Sequence, residues 1–412
     1  MIRRDHNEKS NIEELKSLAE AAGYEIVDVI EQVRPQDPTY NIGAGKAREL
    51  ADIVSRLNVQ KVIFGNELKI VQIYNLAKLT RVEVIDRFQL ILEIFSRRAS
   101  TKEAKLQIEL ARLQYELAHA KEKVRLAKAG EQPGFHGLGK YDADIYYETV
   151  RREAQRLQAK IRNIRKTREI HRRRRRKLGF SLVSLAGYTN SGKSTLFNAL
   201  TEENVPADPR LFTTLSTTTR ILNLSGERIL LTDTVGFIDG LPLTLIEAFH
   251  STLEETIYSD LILLVLDFSE EISEIERKLS CCLNTLQDIG ATGVPVLLVL
   301  NKIDLLSSDQ LNEKVRVLDG KLSEFVPISA LHRVNIDLLK DEIIKRLGRT
   351  NLHFTLPKSE EALSLLSWIY KNSHVQCVDY KEDSIIVSSF SPLSSVDIIR
   401  EKVEKVGGAF QG

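Results

Sequence analysis

The stretch Gly187-Tyr188-Thr189-Asn190-Ser191-Gly192-Lys193-Ser194 decides the fold of this chain. It matches the pattern G-x-x-x-x-G-K-[ST] and lies between the apolar run 180–186 and the helix-like segment 195–201. A buried strand, a glycine turn and a helix in this order are typical of a P-loop, which binds phosphates through backbone N–H groups. The pattern predicts that Lys193 reaches the β- and γ-phosphates and that the Ser194 hydroxyl binds Mg²⁺. The alternative, a glycine loop that binds nothing, becomes weaker with each motif that follows.

A second motif, Asp233-Thr234-Val235-Gly236, comes directly after the strand-like segment 228–232. An aspartate at this point is expected to hold Mg²⁺ through water, and the N–H of Gly236 is expected to meet the γ-phosphate. Loss of the γ-phosphate on hydrolysis would release this loop and so produce a conformational change.

Two further motifs predict that the base is guanine. Asn301-Lys302-Ile303-Asp304 follows the strand-like segment 295–300, and Ser329-Ala330-Leu331 follows the segment 324–328. The Asp304 carboxylate accepts hydrogen bonds only, so it fits the N1–H and the amine of guanine, whereas adenine would leave it unpaired. Backbone N–H groups of 329–331 could bind the guanine O6. Four motifs in this order predict a GTP- and GDP-binding domain.

Switch I is assigned to Phe212-Thr213-Thr214-Leu215-Ser216, between the P-loop and Asp233. Thr214 would add a second hydroxyl to Mg²⁺ when the γ-phosphate is present. The alternative is a solvated loop, with the threonines 217–219 serving instead. The residues assigned to catalysis are Lys193, Thr214 and Gly236.

Phe237 occupies the position at which many switch GTPases carry a water-orienting glutamine. A phenylalanine cannot hydrogen-bond water, so hydrolysis is expected to be slow without a partner. One substitute is a K⁺ ion bound by Asn190 near the β- and γ-phosphates. A hydrogen bond from Asn190 that only shapes the loop is an equal alternative.

The length, composition and net charge predict an ordinary soluble protein of several domains. The 412 residues are 42% hydrophobic and 28% charged, with a net charge of +1. No apolar run is long enough to span a bilayer, and residues 1–14 lack the pattern of a signal peptide. The three cysteines show no metal-ligand spacing, which favours a reducing compartment. The expectation is a cytoplasmic monomer.

The predicted fold class is α/β, with four domains: a small N-terminal α/β domain (1–98), a helical hairpin (99–177), the nucleotide domain (178–348) and a small α+β appendage (349–412). Strands alternating with helices predict mainly parallel sheets in the first and third domains. In the N-terminal domain, strands are predicted at 24–33, 59–64 and 82–85. The short Gly43-Ala-Gly45-Lys46 is interpreted as a plain turn into a helix, in preference to a phosphate contact.

The hairpin carries an unusual charge. Apolar residues recur in a 4-3-4-3 spacing from Leu106 to Ala127 and again from Val150 to Ile164, which predicts two antiparallel helices with a narrow seam. Residues 151–177 contain 14 Lys or Arg and only two Glu. A run of charged residues usually forms a solvent-exposed face of a helix. A run with so many cations and so few acids instead favours contact with a nucleic-acid backbone, without recognition of the base sequence.

The order of these segments and motifs resembles the HflX family of GTPases, over about residues 1–350. The most specific matches are Phe-x-Thr-Leu at 212–215 and Asp-Thr-Val-Gly-Phe-Ile at 233–238. The resemblance implies binding to the large ribosomal subunit, stimulation of hydrolysis there and, in some members, ribosome splitting under stress. It also implies Ser194 and Thr214 as Mg²⁺ ligands and the hairpin as the arm toward ribosomal RNA. One departure is the glycine loop 133–140, which differs from the bacterial G-x-x-G-P-G-E.

Two other functions compete with a ribosomal GTPase. One is an RNA-binding assembly factor or chaperone in which GTP only gates binding. The other is a P-loop kinase for a small molecule, against which the guanine motif at 301–304 argues.

Overall fold

The computed structural model describes residues 1–5, 11–130, 138–177, 180–201, 218–224, 227–239, 253–318, 320, 322, 324–347, 349–381 and 383–410. These residues divide into two compact units, one that contains the described part of 1–164 and one that contains the described parts of 165–201, 218–239 and 253–410. The division falls inside the second helix of the hairpin. The predicted α/β class is confirmed.

The N-terminal part of the first unit alternates short strands with helices. Its elements are β1 (Ile2–Arg4), α1 (Ile12–Ala21), β2 (Glu31–Val33), α2 (Ala44–Leu57), β3 (Lys61–Ile63), α3 (Ile70–Thr80), β4 (Glu83–Ile85) and α4 (Arg87–Arg98). Strands β1 and β2 pair in parallel, as do β3 and β4. The prediction of a strand over 24–33 is wrong for 24–30, because β1 offers ladder partners only to residues 31–33.

The predicted hairpin is present as α5 (Lys102–Gly130) and α6 (Leu138–Lys177). Leucines of α5 pack against apolar residues of α6 at the predicted spacing, and the buried set is Leu110, Leu113, Val150, Ala154, Leu157 and Ile161. Near the middle of α5, the Tyr115 hydroxyl donates to Asp86 at 3.0 Å and its ring stacks on Phe88. The predicted glycine loop lies largely outside the described residues.

The nucleotide domain contains a six-stranded sheet in the order β10-β9-β8-β5-β7-β6. Its strands are β5 (Ser181–Gly187), β6 (Thr218–Leu224), β7 (Glu227–Asp233), β8 (Leu261–Asp267), β9 (Val296–Asn301) and β10 (Phe325–Pro327). Its helices include α7 (Lys193–Thr201), α8 (Ile272–Asp288), α9 (Ser308–Val317) and α10 (Ile336–Arg346). The strand-like segments that precede the four motifs are confirmed as β5, β7, β9 and β10, and these strands run parallel with β8. Strand β6 was not predicted, and it runs antiparallel to β7 at the edge.

The C-terminal part adds an antiparallel sheet in the order β12-β13-β11-β14. Its elements are β11 (Arg349–Pro357), α11 (Glu360–Asn372), β12 (His374–Tyr380), β13 (Ser384–Pro392), α12 (Leu393–Lys405) and β14 (Ala409–Phe410). Helices α11 and α12 accompany the β12–β13 hairpin, while β11 and β14 complete the sheet. Among all described helices, none has the length and apolar character of a membrane span.

Candidate guanine-nucleotide site

The P-loop connects the end of β5 to the start of α7, at the carboxyl edge of the parallel sheet. Gly187 and Gly192 have φ angles of +147° and +93°, which side chains rarely adopt. A Cβ at Gly192 would lie 2.2 Å from Asn301 Nδ2, and one at Gly187 would lie 2.3 Å from the Val265 carbonyl oxygen. Only glycine fits at either end, so the spacing of the two glycines is set by close packing as well as by backbone angle.

Lys193 is the first residue of α7 and is buried. Its Nζ donates to the carbonyl oxygen of Tyr188 at 2.7 Å, so the loop curls around the ammonium group. Burial lowers the pKa of Lys193 to about 8, and the nearby Asp233 carboxylate opposes this shift only in part. An anionic phosphate beside the amine would favour its charged form. The arrangement therefore suits a ligand that brings negative charge into the loop.

The oxygen atoms for a hard cation lie beside this lysine. Ser194 Oγ donates to Asp233 Oδ2 at 2.9 Å, which joins the start of α7 to the end of β7. A hydroxyl next to a carboxylate fits Mg²⁺, which prefers oxygen ligands and keeps several waters. Among the described residues, no cluster of three or more His, Cys, Asp or Glu could hold a metal by protein ligands alone.

The segment after Asp233 is held against the P-loop by its backbone. The Thr234 hydroxyl donates to the Leu185 carbonyl at 2.6 Å, and Val235 is buried. The N–H of Thr189 donates to the Phe237 carbonyl at 2.8 Å, and the N–H of Phe237 donates to the Gly187 carbonyl at 2.9 Å. Phe237 is only 2% exposed, so its side chain belongs to the core. It therefore has no access to a water beside the phosphates.

Asn301 connects the P-loop to the loop that follows β10. Its Nδ2 donates to the carbonyl oxygen of Ser191 at 2.9 Å, and its Oδ1 accepts from the N–H of Ala330 at 3.0 Å. One side chain thus connects the P-loop, the end of β9 and the loop after β10. The motif spacing contains no sign of this contact, since it joins residues far apart in the chain.

The remaining residues of the base motifs lie around Asn301. Asp304 is in a short 3₁₀ turn, with His332 Nε2 at 3.8 Å from its carboxylate, and the Ile303 N–H bonds to the Ile328 carbonyl. The N–H groups of Ser329 and Ala330 are used within the protein. In the described part of the chain, Leu331 is the residue of this triplet whose N–H has no bonded acceptor.

Asn190 and Ser191 of the P-loop are described, whereas the predicted switch I is not. Asn190 is exposed and has a φ angle of +62°, a conformation that asparagine adopts more readily than most residues. Ser191 Oγ is buried and finds no hydrogen-bond partner among the described residues. The five residues of the predicted switch I, Phe212 to Ser216, lie outside the described residues, and Thr214 is one of them.

Helix α8 contributes residues that the motifs did not predict. The Tyr188 ring lies under the cations of Arg277 and Lys278, at 5.6 Å and 4.9 Å from the ring centre. The Tyr188 hydroxyl accepts from the N–H of Asp239 at 3.1 Å, and Arg277 pairs with the Asp239 carboxylate. The sequence signal for these contacts is the adjacent pair Arg277 and Lys278 on an otherwise amphipathic helix. These contacts join the P-loop to the segment that follows Gly236.

Three family profiles match successive segments of the chain. The profile described as GTP-binding GTPase N-terminal matches residues 9–96, and GTP-binding GTPase Middle Region matches 98–175. The profile described as 50S ribosome-binding GTPase matches 182–302, the segment that contains the P-loop, Asp233 and Asn301.

Curated relatives cover nearly the whole chain. The GTPase HflX of Thermococcus kodakarensis is 43% identical over 94% of this chain and 90% of its own length. The GTPase HflX of Methanocaldococcus jannaschii is 44% identical over 95% of each. Among solved structures, the SsGBP and GDP complex is 29% identical with a TM-score of 0.50, covering 84% of this chain and 97% of that one.

Proposed function

Because this chain belongs to the HflX family of GTPases, we propose that it is a Mg²⁺-dependent switch whose GTP hydrolysis is completed by the large ribosomal subunit. That the protein is a GTP-binding GTPase follows from the family. The cation, the partner and the residues that act are the proposal. The observation that carries it is the exposed cationic face of α6, together with a buried Phe237 at the position of the water-orienting residue.

The proposed chemistry divides the site between phosphate and base. Lys193 holds the β- and γ-phosphates and stabilises the charge that develops as the phosphoryl group transfers. Ser194 and Thr214 would bind Mg²⁺, with Asp233 acting through water, and the ion would neutralise phosphate charge. The N–H of Gly236 would bond to the γ-phosphate. Asp304 would select guanine, and the Leu331 N–H is the best placed of 329–331 to meet O6.

Slow intrinsic hydrolysis follows from the environment of Phe237. Its backbone is bonded on both sides to the P-loop and its ring is in the core, so nothing at this position can orient the attacking water. A ribosomal component or a K⁺ ion near Asn190 would have to supply the missing interaction. The exposure of Asn190 leaves room for such an ion.

The hairpin supplies a surface for ribosomal RNA. One side of α6 is buried in the seam, while four cations on its other faces are exposed and have no ion-pair partner among the described residues: Arg152, Arg156, Lys160 and Arg162. Unpaired cations at successive turns of a helix repel each other unless a polyanion lies beside them. This favours contact with an RNA backbone, in a monomer that works in the cytoplasm and in part on ribosomes. Ribosome splitting under stress, as in some family members, would follow from nucleotide-dependent movement at that contact.

The second candidate is an RNA-binding assembly factor or chaperone in which GTP only gates binding. The same cationic face of α6 favours it, because backbone contacts would serve a chaperone equally well. The two candidate functions differ in whether the RNA-containing partner changes the rate of GTP hydrolysis.

The test is steady-state GTP hydrolysis with and without purified large ribosomal subunits, in K⁺ and in Na⁺ buffers. We expect stimulation by the subunits, and loss of most of it in the triple variant Arg152→Gln/Arg156→Gln/Lys160→Gln. A matched control, Lys16→Gln/Lys46→Gln/Arg112→Gln, removes three cations that are already ion-paired. If intact subunits bind the protein and leave its rate of GTP hydrolysis unchanged, the result would instead support an RNA-binding assembly factor or chaperone.

A further inference from the structure

Asp267, the last residue of β8, lies outside all four nucleotide motifs, yet its carboxylate is fully engaged beside one of them. Its Oδ1 accepts from the N–H of Ser269 at 3.1 Å and from the Ser269 hydroxyl at 2.5 Å. Its Oδ2 accepts from Lys302 Nζ at 2.6 Å. The side chains of Asp267 and Lys302 are 9% and 27% exposed, so this ion pair is partly shielded from solvent screening. The carboxylate is therefore fixed in one orientation and holds the lysine of the base motif.

Lys302 needs such support because its backbone is strained. Its φ and ψ angles are +66° and +33°, a left-handed conformation that is unfavourable for a residue with a side chain. The residue stands between Asn301, which braces the P-loop, and Asp304, which is proposed to select guanine. A relaxation of Lys302 toward a common conformation would turn both neighbours away from their partners.

The backbone places Asp267 where it can resist that relaxation. Asp267 and Asn301 are register partners in the parallel pair β8–β9, and the N–H of Phe268 donates to the Asn301 carbonyl at 2.9 Å. The Ile303 N–H is held on the other side by the Ile328 carbonyl. The turn at Lys302 is thus fixed by the backbone on both sides and by Asp267 through its side chain.

We propose that Asp267 is a positioning residue for guanine-nucleotide binding, which acts by holding Lys302 in its left-handed turn. The proposal rests on the placement of guanine at residues 301–304. Asp267 touches neither phosphate nor the reacting atoms in this arrangement. Its loss should therefore weaken substrate and transition state alike, and so raise KM without changing kcat.

The test is Asp267→Asn, which keeps the shape of the side chain and removes its charge. Losing a charge-assisted hydrogen bond in a shielded site should weaken GDP binding about 10-fold to 100-fold and raise KM for GTP by a similar factor, with kcat within about twofold. Asp337→Asn is the matched control, since Asp337 pairs with Lys340 on an exposed face of the same domain. The double variant Asp267→Asn/Lys302→Ala should bind GDP no more weakly than Lys302→Ala, because the effect passes through Lys302.

Two more variants keep the test decisive. Ser269→Ala removes one bond that orients Asp267 and should give a smaller rise in KM, even if Asp267→Asn fails to fold. Asp304→Asn tests the placement of guanine by itself. Weaker GDP binding in Asp304→Asn, with unchanged binding in Asp267→Asn and Ser269→Ala, would overturn the inference and leave the proposed function standing. Unchanged binding in Asp304→Asn would overturn the placement on which both depend.

Discussion

The side-chain amide of Asn301 lies 2.9 Å from the carbonyl oxygen of Ser191, a residue 110 positions earlier in the chain. Together with the bond from the Ala330 N–H, this contact makes Asn301 a brace between the P-loop and the loop that follows β10. Both bonds are buried, so each partner would be left unsatisfied if the amide were removed.

Asn301→Ala should weaken GDP binding by about 2–4 kcal/mol, because two buried backbone groups lose their partner. Titration calorimetry with GDP would measure the change. Asn75→Ala is the control, since Asn75 donates to the Thr39 carbonyl in the N-terminal part of the chain, at an exposed position. Equal GDP affinities in the native protein and Asn301→Ala would show that the brace does not support the nucleotide.

Nucleotide binding should take up a proton at Lys193 in mildly alkaline solution. In the free protein burial lowers the pKa of Lys193 to about 8, and a bound phosphate would raise it again. Between about pH 8 and pH 10 the affinity for GDP should therefore fall as pH rises. Calorimetry at pH 8.5 in buffers of different ionisation enthalpy would detect the uptake, and Lys193→Arg should abolish it because arginine stays protonated.

The same shift has a consequence for stability. The folded-state pKa of Lys193 is below its usual 10.5, so the unfolded chain binds more protons than the folded protein between pH 8 and 10.5. The free energy of unfolding should rise with pH in that window, in the nucleotide-free native protein relative to Lys193→Arg. Parallel stability curves for the two proteins would contradict the lowered pKa.

Gly236→Ala should slow GTP hydrolysis without abolishing GDP binding. A Cβ at Gly236 would lie 2.9 Å from Thr189 Cγ2 and 3.0 Å from Lys193 Nζ, closer than side chains tolerate. The loop must move away, at a cost of about 1–3 kcal/mol, which corresponds to a rate about 5-fold to 160-fold lower. Single-turnover hydrolysis with saturating GTP is the measurement. Gly45→Ala, in open space at the start of α2, should leave the rate unchanged.

Leu157→Ala should loosen the hairpin while the nucleotide domain keeps its basal activity. Leu157 is 7% exposed and packs in the α5–α6 seam, where truncation of a leucine costs about 2–4 kcal/mol. Hydrogen exchange of residues 102–118 and 147–164 should become faster in this variant. Gln155→Ala, at an exposed position two residues away, is the comparison, and equal exchange in the two variants would argue against the seam.

Strand and helix positions in the nucleotide domain were predictable because their signals are local. Runs such as 261–266 are apolar throughout, as parallel strands buried on both faces require, and each motif marks a strand end. Strand β6 gave no such signal, since its residues Thr218–Leu224 are partly polar and their exposure varies along an edge. Strand β11 also gave no local signal, because it is stabilised by pairing with β13, a strand that comes later in the chain.

The sequence by itself determined the P-loop, the motif at residues 301–304, the heptad seam and the excess of cations on α6, because each depends on residue types at short, fixed spacings. Only the tertiary structure decided that Asn301 braces Ser191, that Phe237 is locked to the P-loop and that Asp267 holds Lys302. These contacts join residues that the order of strands in the sheet brings together. Strand order is fixed by packing over the whole domain, and no local pattern records it.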